Sequence, residues 1–118
     1  MVYSSAHLSL AALEILVHSQ PLMPRDTFLI FSIQWAEALA KTIPMSSLPK
    51  SWTNQPAGAA TVEIGDRWCK ERSSAVLTVP SVLVPEEQNY LLNPLRQDYA
   101  KLQIKRVRDF QFDPRFRH

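Results

Sequence analysis

VPSVLVPEEQNYLLNP, residues Val79 to Pro94, runs an apolar strand into a proline-bounded turn and closes on an Asn-Pro turn. Ala75, Val76 and Leu77 before it are apolar and Thr78 is β-branched, so Ala75 to Val79 reads as a strand. Pro80 has no amide hydrogen to give a ladder and interrupts it, and Val82 to Val84 is expected to resume it. Ser81 sits at the kink, a lone hydroxyl between two apolar halves. After the turn, Tyr90 to Leu92 is short and extended, and Asn93-Pro94 ends it.

Working outward, residues 5–19 (SAHLSLAALEILVHS) predict a helix, with Ser4 or Ser5 available to cap its start and Pro21 barring continuation. Its apolar residues leave almost no polar face, which predicts a helix buried on more than one side. Thr27 to Ile33 has the aromatic and aliphatic content of a central strand, and a short helix is expected from Trp35 to about Lys41. Residues 44–60, with Pro44, Pro49 and Pro56, read as a loop, and helical spacing resumes from Thr61 to Glu71. Leu102 to Phe112 alternates in places and predicts a late, half-exposed strand. Helices and strands mix without a repeated βαβ rhythm, so the expected class is α+β, with a mixed or antiparallel sheet packed with helices.

At 118 residues the chain is expected to form one domain, 1–118. A hydrophobic fraction of 46% and a charged fraction of 20% describe a globular chain, not a disordered one. The net charge of +2 is too small to imply direct nucleic-acid binding. Basic residues cluster late, at Lys101, Lys105, Arg106, Arg108, Arg115 and Arg117, as a solvated strand edge and tail or as a phosphate- or partner-facing patch. Cys69 is the single cysteine, which excludes an internal disulfide. With no apolar run of the ~20 residues that span a bilayer and no secretion signal, the expectation is a cytoplasmic protein without membrane association.

Glu14 stands out on physical grounds. It lies mid-helix among Leu10, Ala11, Val17 and His18, with no Lys or Arg one turn away to neutralise it. A carboxylate so placed either faces outward through a gap in the apolar surface or serves a function. His18, four residues on, projects from the same face. No further His or Cys cluster completes a metal site, so none is expected, and His7 and His118 are isolated. Ser81 is either a bulge serine satisfying local backbone or a hydroxyl pointing into a cleft. It lies in no GxSxG elbow. Gly58 and Gly65 are the only glycines, so phosphate-cradling loops are absent. Trp35, Trp52 and Trp68 are scattered rather than arrayed for base stacking.

Taken together, these segments resemble the RES domain of bacterial toxin–antitoxin toxins. The resemblance rests on Tyr3-Ser4 leading into a helix with Ala12, Leu13, Glu14, Val17 and His18. It continues through Leu48, Pro49 and Trp52, then Ile64, Gly65, Asp66 and Trp68. Val79-Pro80-Ser81, Asn89 to Pro94 and Phe110 to Arg115 complete it, in the family's order. It implies an ADP-ribosyltransferase-like fold holding NAD⁺ as substrate, with no separate cofactor. Of the arginine, glutamate and serine that name the family, Glu14 and Ser81 match the last two and are the expected catalytic residues. Tyr3, matching a tyrosine that lines the pocket, joins Ser4, His18 and Asn89 as the expected substrate-binding set.

The family's arginine lies upstream of the Tyr-Ser strand, and nothing here matches it. The expectation is therefore a domain lacking its N-terminal segment, either because an internal methionine was taken as the start or because the gene is truncated. The implied chemistry is cleavage of the nicotinamide–ribose bond, with water, phosphate or a protein side chain as acceptor. Without the arginine's planar donor fork for the pyrophosphate, activity is expected to be impaired. The implied partner is a cognate helix-turn-helix antitoxin, and a homo-oligomer is possible. The alternative is a catalytically inactive remnant that retains only antitoxin or other partner binding.

Overall fold

The computed structural model describes residues 1–18, 26–44, 46, 48, 50 and 59–116. Strand β1 (Val2–Ser5) leads into helix α1 (Leu8–His18). Strand β2 (Phe28–Gln34), a 3₁₀ turn (Glu37–Leu39) and strand β3 (Ala40–Thr42) precede helix α2 (Ala59–Glu71). Strands β4 (Val76–Pro80) and β5 (Gln88–Leu92), a 3₁₀ turn (Gln97–Lys101), strand β6 (Gln103–Phe110) and a last 3₁₀ turn (Pro114–Phe116) follow.

Four strands form one sheet in the order β1-β5-β4-β3, antiparallel except for the parallel β3–β4 pair. β2 and β6 form a separate antiparallel ribbon. This mixed architecture is the α+β class that the sequence predicts.

Central position explains the composition of β4 and β5. Val76 and Leu92 project from one face into a core with Ala75 and Leu102, against which Ile33, Trp35, Leu39, Tyr90 and Tyr99 pack. Leu77 and Leu91 project from the other face and meet Trp68 of α2, with Ile43, Cys69 and Val79 beside them. A strand covered on both faces reads as a continuous apolar run rather than an alternating one.

Two polar residues pin these layers. The Trp68 indole N–H donates to Ser74 Oγ at 2.8 Å, and that hydroxyl donates to the Val76 carbonyl at 2.7 Å. Asn93, fully buried, donates to the Cys69 carbonyl at 3.0 Å and accepts from Leu95 N–H at 3.0 Å. The Asn-Pro turn is thus tied to the end of α2. That helix stops in a Schellman geometry: Arg72 N–H reaches the Cys69 carbonyl and Ser73 N–H the Trp68 carbonyl, with Arg72 at φ 51°.

Several expectations need correction. The first helix begins at Leu8 rather than at residue 5, because Ser5 is taken up by pairing with Asn89 in the sheet, and the far end of the expected helix, at residue 19, lies outside the described residues. Nor is it buried on several sides: within α1 only Leu10 is buried, and Leu8, Leu13 and Val17 are 40–46% exposed. The helix expected from Trp35 to Lys41 is one 3₁₀ turn followed by β3, since parallel pairing with β4 draws Ala40–Thr42 into the sheet. Val82–Val84 does not resume a strand, because the Ser81 hydroxyl captures the Leu83 and Val84 amides in a turn. Pro80 is the last residue of β4, opposite Gln88, rather than a break in it. β6, expected to be half-exposed, is exposed along nearly its whole length. Most of the expected 44–60 loop, including Pro49, Trp52 and Pro56, lies outside the described residues, as does His118.

Candidate active site

The site forms where α1 crosses the sheet end at β1, β5 and the turn after β4. Asn89 shares a face of the sheet with Leu91 and Val79, and α1 brings Glu14 to that face. Asn89 Nδ2 donates to Glu14 Oε1 at 3.0 Å. Ser81 Oγ donates to the same oxygen at 3.3 Å. The second oxygen, Oε2, lies 3.1 Å from His18 Nε2, the neighbour one helical turn on. The Glu14 side chain is 23% exposed and that of His18 63%. One carboxylate oxygen is therefore held by two neutral donors, and the other lies beside an exposed imidazole.

Glu14 is thus neither an outward-facing helix residue nor a bare buried charge. Its local sequence offers no Lys or Arg, and besides His18 its partners come from β5 and the β4–β5 turn, 75 and 67 residues away. Hydrogen bonds to an ionised acceptor are among the stronger ones, and two on one oxygen also fix the carboxylate plane.

The expected site residues do not all converge. Glu14, Ser81, Asn89 and His18 form one hydrogen-bonded cluster. Ser81 is fully buried, donating to Glu14 and accepting from Leu83 N–H at 3.1 Å and Val84 N–H at 3.2 Å. Its hydroxyl braces the carboxylate instead of standing open. Tyr3 lies on the same sheet face as Asn89, two strand positions before Ser5, and is 72% exposed. Ser4 projects from the opposite face, its hydroxyl donating to the Tyr90 carbonyl at 3.1 Å.

On that opposite face, between the main sheet and the β2–β6 ribbon, is a cleft of about 240 Å³ lined by Ser4, Ser5, Ala6, Phe31, Ile33, Trp35 and Tyr90. The Trp35 and Tyr90 rings meet edge to face with centroids 4.9 Å apart. The cleft is aromatic and smaller than the roughly 300–1,000 Å³ of most ligand sites, a size for one ring system rather than a whole dinucleotide.

Sequence reasoning missed Ser5, whose hydroxyl donates to Asn89 Oδ1 at 2.7 Å. The only available signal was its period-2 relation to Tyr3 on a strand, and that says nothing about which residue lies opposite. Among the described residues no group of three or more His, Cys, Asp or Glu side chains gathers as metal ligands would. Among the same residues, no helix is long and apolar enough to cross a membrane.

Comparison with known proteins bears on this arrangement. The family model described as "RES domain" matches residues 1–114. The chain is 35% identical over 118 residues to the "Prs ADP-ribosylating toxin" of a Sphingobium species, covering 98% of this chain and 73% of that protein. It is 37% identical over 117 residues to a protein named "Toxin Res" from Yersinia enterocolitica, covering 98% and 77%. A "Toxin Res" from Photorhabdus laumondii is 36% identical over 116 residues, covering 97% and 74%.

Proposed function

The chain belongs to the RES domain family, and we propose that it acts as a toxin that cleaves the nicotinamide–ribose bond of NAD⁺. The observation that carries this reading is the partly buried Glu14 carboxylate, with Oε1 braced by Ser81 and Asn89 and Oε2 beside the exposed His18. The names of its relatives, one an ADP-ribosylating toxin, support the same substrate class.

The chemistry requires such a group. As the C1′–N bond breaks, its electron pair leaves with nicotinamide, whose ring charge is thereby neutralised. Positive charge then develops on the ribose as an oxocarbenium-like centre. A carboxylate held at a fixed angle stabilises that charge, or holds a ribose hydroxyl as a hydrogen-bond acceptor, without reorganising during the step. The acceptor oxygen of water or phosphate, or a nucleophilic atom of a protein side chain, then forms the new bond to C1′. In this reading Glu14 touches the substrate, Ser81 acts through Glu14, and His18 stands beside Oε2. Tyr3 and the Ser4 side of the cleft offer surfaces against which a ring can pack.

The reading extends to an antitoxin of the helix-turn-helix class as partner. A second reading, a remnant that keeps only partner contacts, makes the opposite forecast for one substitution. Induced expression of the chain should arrest growth and lower cellular NAD⁺, and Glu14→Gln should relieve both. Equal behaviour of the two proteins, with no nicotinamide released by either in vitro, favours the remnant and rejects the NAD⁺-cleaving reading.

A further inference from the structure

We infer that Ser5 is a positioning residue for Glu14, acting through the carboxamide of Asn89. This inference rests on the reading of Glu14 as the carboxylate that serves the reaction. Ser5 and Asn89 are directly opposed in the β1–β5 register, so their side chains leave the same face at neighbouring positions. The Ser5 hydroxyl donates to Asn89 Oδ1 at 2.7 Å, and Asn89 Nδ2 donates to Glu14 Oε1 at 3.0 Å. The three side chains form a directed chain of donors ending on the carboxylate.

The direction matters because an asparagine amide has two nearly isosteric ends and a broad terminal torsion. Turned one way it gives Glu14 a hydrogen, and turned the other it sets an oxygen against the carboxylate. A carboxylate can only accept, so the favourable state puts Nδ2 toward Glu14 and leaves Oδ1 needing a donor in a half-buried site. Ser5 supplies it. With the hydroxyl gone, Oδ1 must find another donor by rotating, and Glu14 Oε1 keeps Ser81 alone. The carboxylate is then hinged at one contact instead of clamped between two. Ser5 also borders the aromatic cleft between sheet and ribbon, so one residue links the cleft wall to the support of the carboxylate.

The test uses the full chain as wild type, Ser5→Ala, Ser5→Thr and Glu14→Gln. Nicotinamide release from NAD⁺ gives kcat and KM, and ¹⁵N-asparagine labelling follows the Asn89 side-chain NH₂ pair by NMR. Ser5→Ala is expected to lower kcat about tenfold or more, the scale of a misaligned catalytic group, with KM within about twofold. The Asn89 NH₂ signals should shift and exchange faster in Ser5→Ala and Glu14→Gln. Ser5→Thr, which keeps the hydroxyl, should restore both kcat and the signals. If wild type is active, Glu14→Gln is inactive and Ser5→Ala matches wild type, the inference is overturned while the NAD⁺ reading stands. An unchanged Asn89 amide in Ser5→Ala overturns it as well. If no protein consumes NAD⁺ yet the amide responds as expected, the NAD⁺ reading fails and the positioning of Glu14 by Ser5 stands.

Discussion

The Ser81 hydroxyl makes three hydrogen bonds, one given to Glu14 and two taken from the Leu83 and Val84 amides, which is all that a hydroxyl can make. Its two tasks, bracing a carboxylate and closing a turn, are separable by substitution. Ser81→Ala leaves two partly buried backbone amides without their acceptor, at up to about 1–3 kcal/mol each where water does not replace it. The expected outcome is a lower midpoint in chemical denaturation together with loss of NAD⁺ cleavage. Glu14→Gln, which leaves the turn intact, should lose activity and keep most of its stability. A Ser81→Ala protein as stable as wild type would show that the turn does not depend on the hydroxyl. At this scale Glu14 was legible as an anomaly, because an acidic residue without a local cation inside an apolar helix needs an explanation. What satisfies it was not legible, since Ser81 and Asn89 are 67 and 75 residues away.

At the scale of elements, the clearest departure from local preference is the end of α2, where Arg72 sits at φ 51°, a region glycine occupies without strain. Arg72→Gly should stabilise the protein by about 0.5–1 kcal/mol and raise the melting temperature by a few degrees, read by thermal denaturation. The Arg72 carbonyl, which accepts from Arg96 Nη1, survives the change. A lower melting temperature would mean that the arginine side chain contributes more than its backbone strain takes away. Helix α2 and strands β4, β5 and β6 were legible from periodicity and apolar content, and so was β2, although as a strand of a two-stranded ribbon rather than the central strand its composition suggests. β3 was not, because a three-residue strand has too few side chains to show a period, and Ala40–Thr42 is a strand only because β4 lies beside it. The Val82–Val84 segment misled for the opposite reason: its side chains favour a strand, and one hydroxyl holding two amides outweighs that preference.

For the whole molecule, the sheet and the ribbon are held differently. β4 is covered on both faces, whereas β6 is exposed along almost its full length. The ribbon joins the core through Ile33, with Trp35 and Leu102 just beyond the ends of its strands. Amide hydrogen exchange should therefore show two levels, with β4 and β5 opening only on global unfolding and β2 and β6 opening earlier as a unit. Trp35→Ala, which removes the edge-to-face contact with Tyr90, should speed exchange in β2 and β6 while leaving β4 protected. Uniform protection across all strands would contradict this division. Lys105, Arg106 and Arg108 lie on that exposed strand, where Arg106 pairs with Asp109 at 2.9 Å. An exposed pair of this kind contributes little to stability.

The sequence by itself determined the α+β class, the buried strands around Val76 and Leu92, the Asn-Pro turn at Asn93 and the family to which the chain belongs. Each of these is written in short-range pattern: apolar runs, proline and asparagine at a turn, motifs in a fixed order. Only the tertiary structure decided that one Glu14 oxygen is held by Ser81 and Asn89 while the other meets His18, that Ser4 and Ser5 project from opposite faces, and that Ser5 supports Asn89. The physical reason is register. Which residues lie opposite one another on β1 and β5 is set by pairing between segments more than eighty residues apart, and a shift of one position would have turned Ser5 away from Asn89.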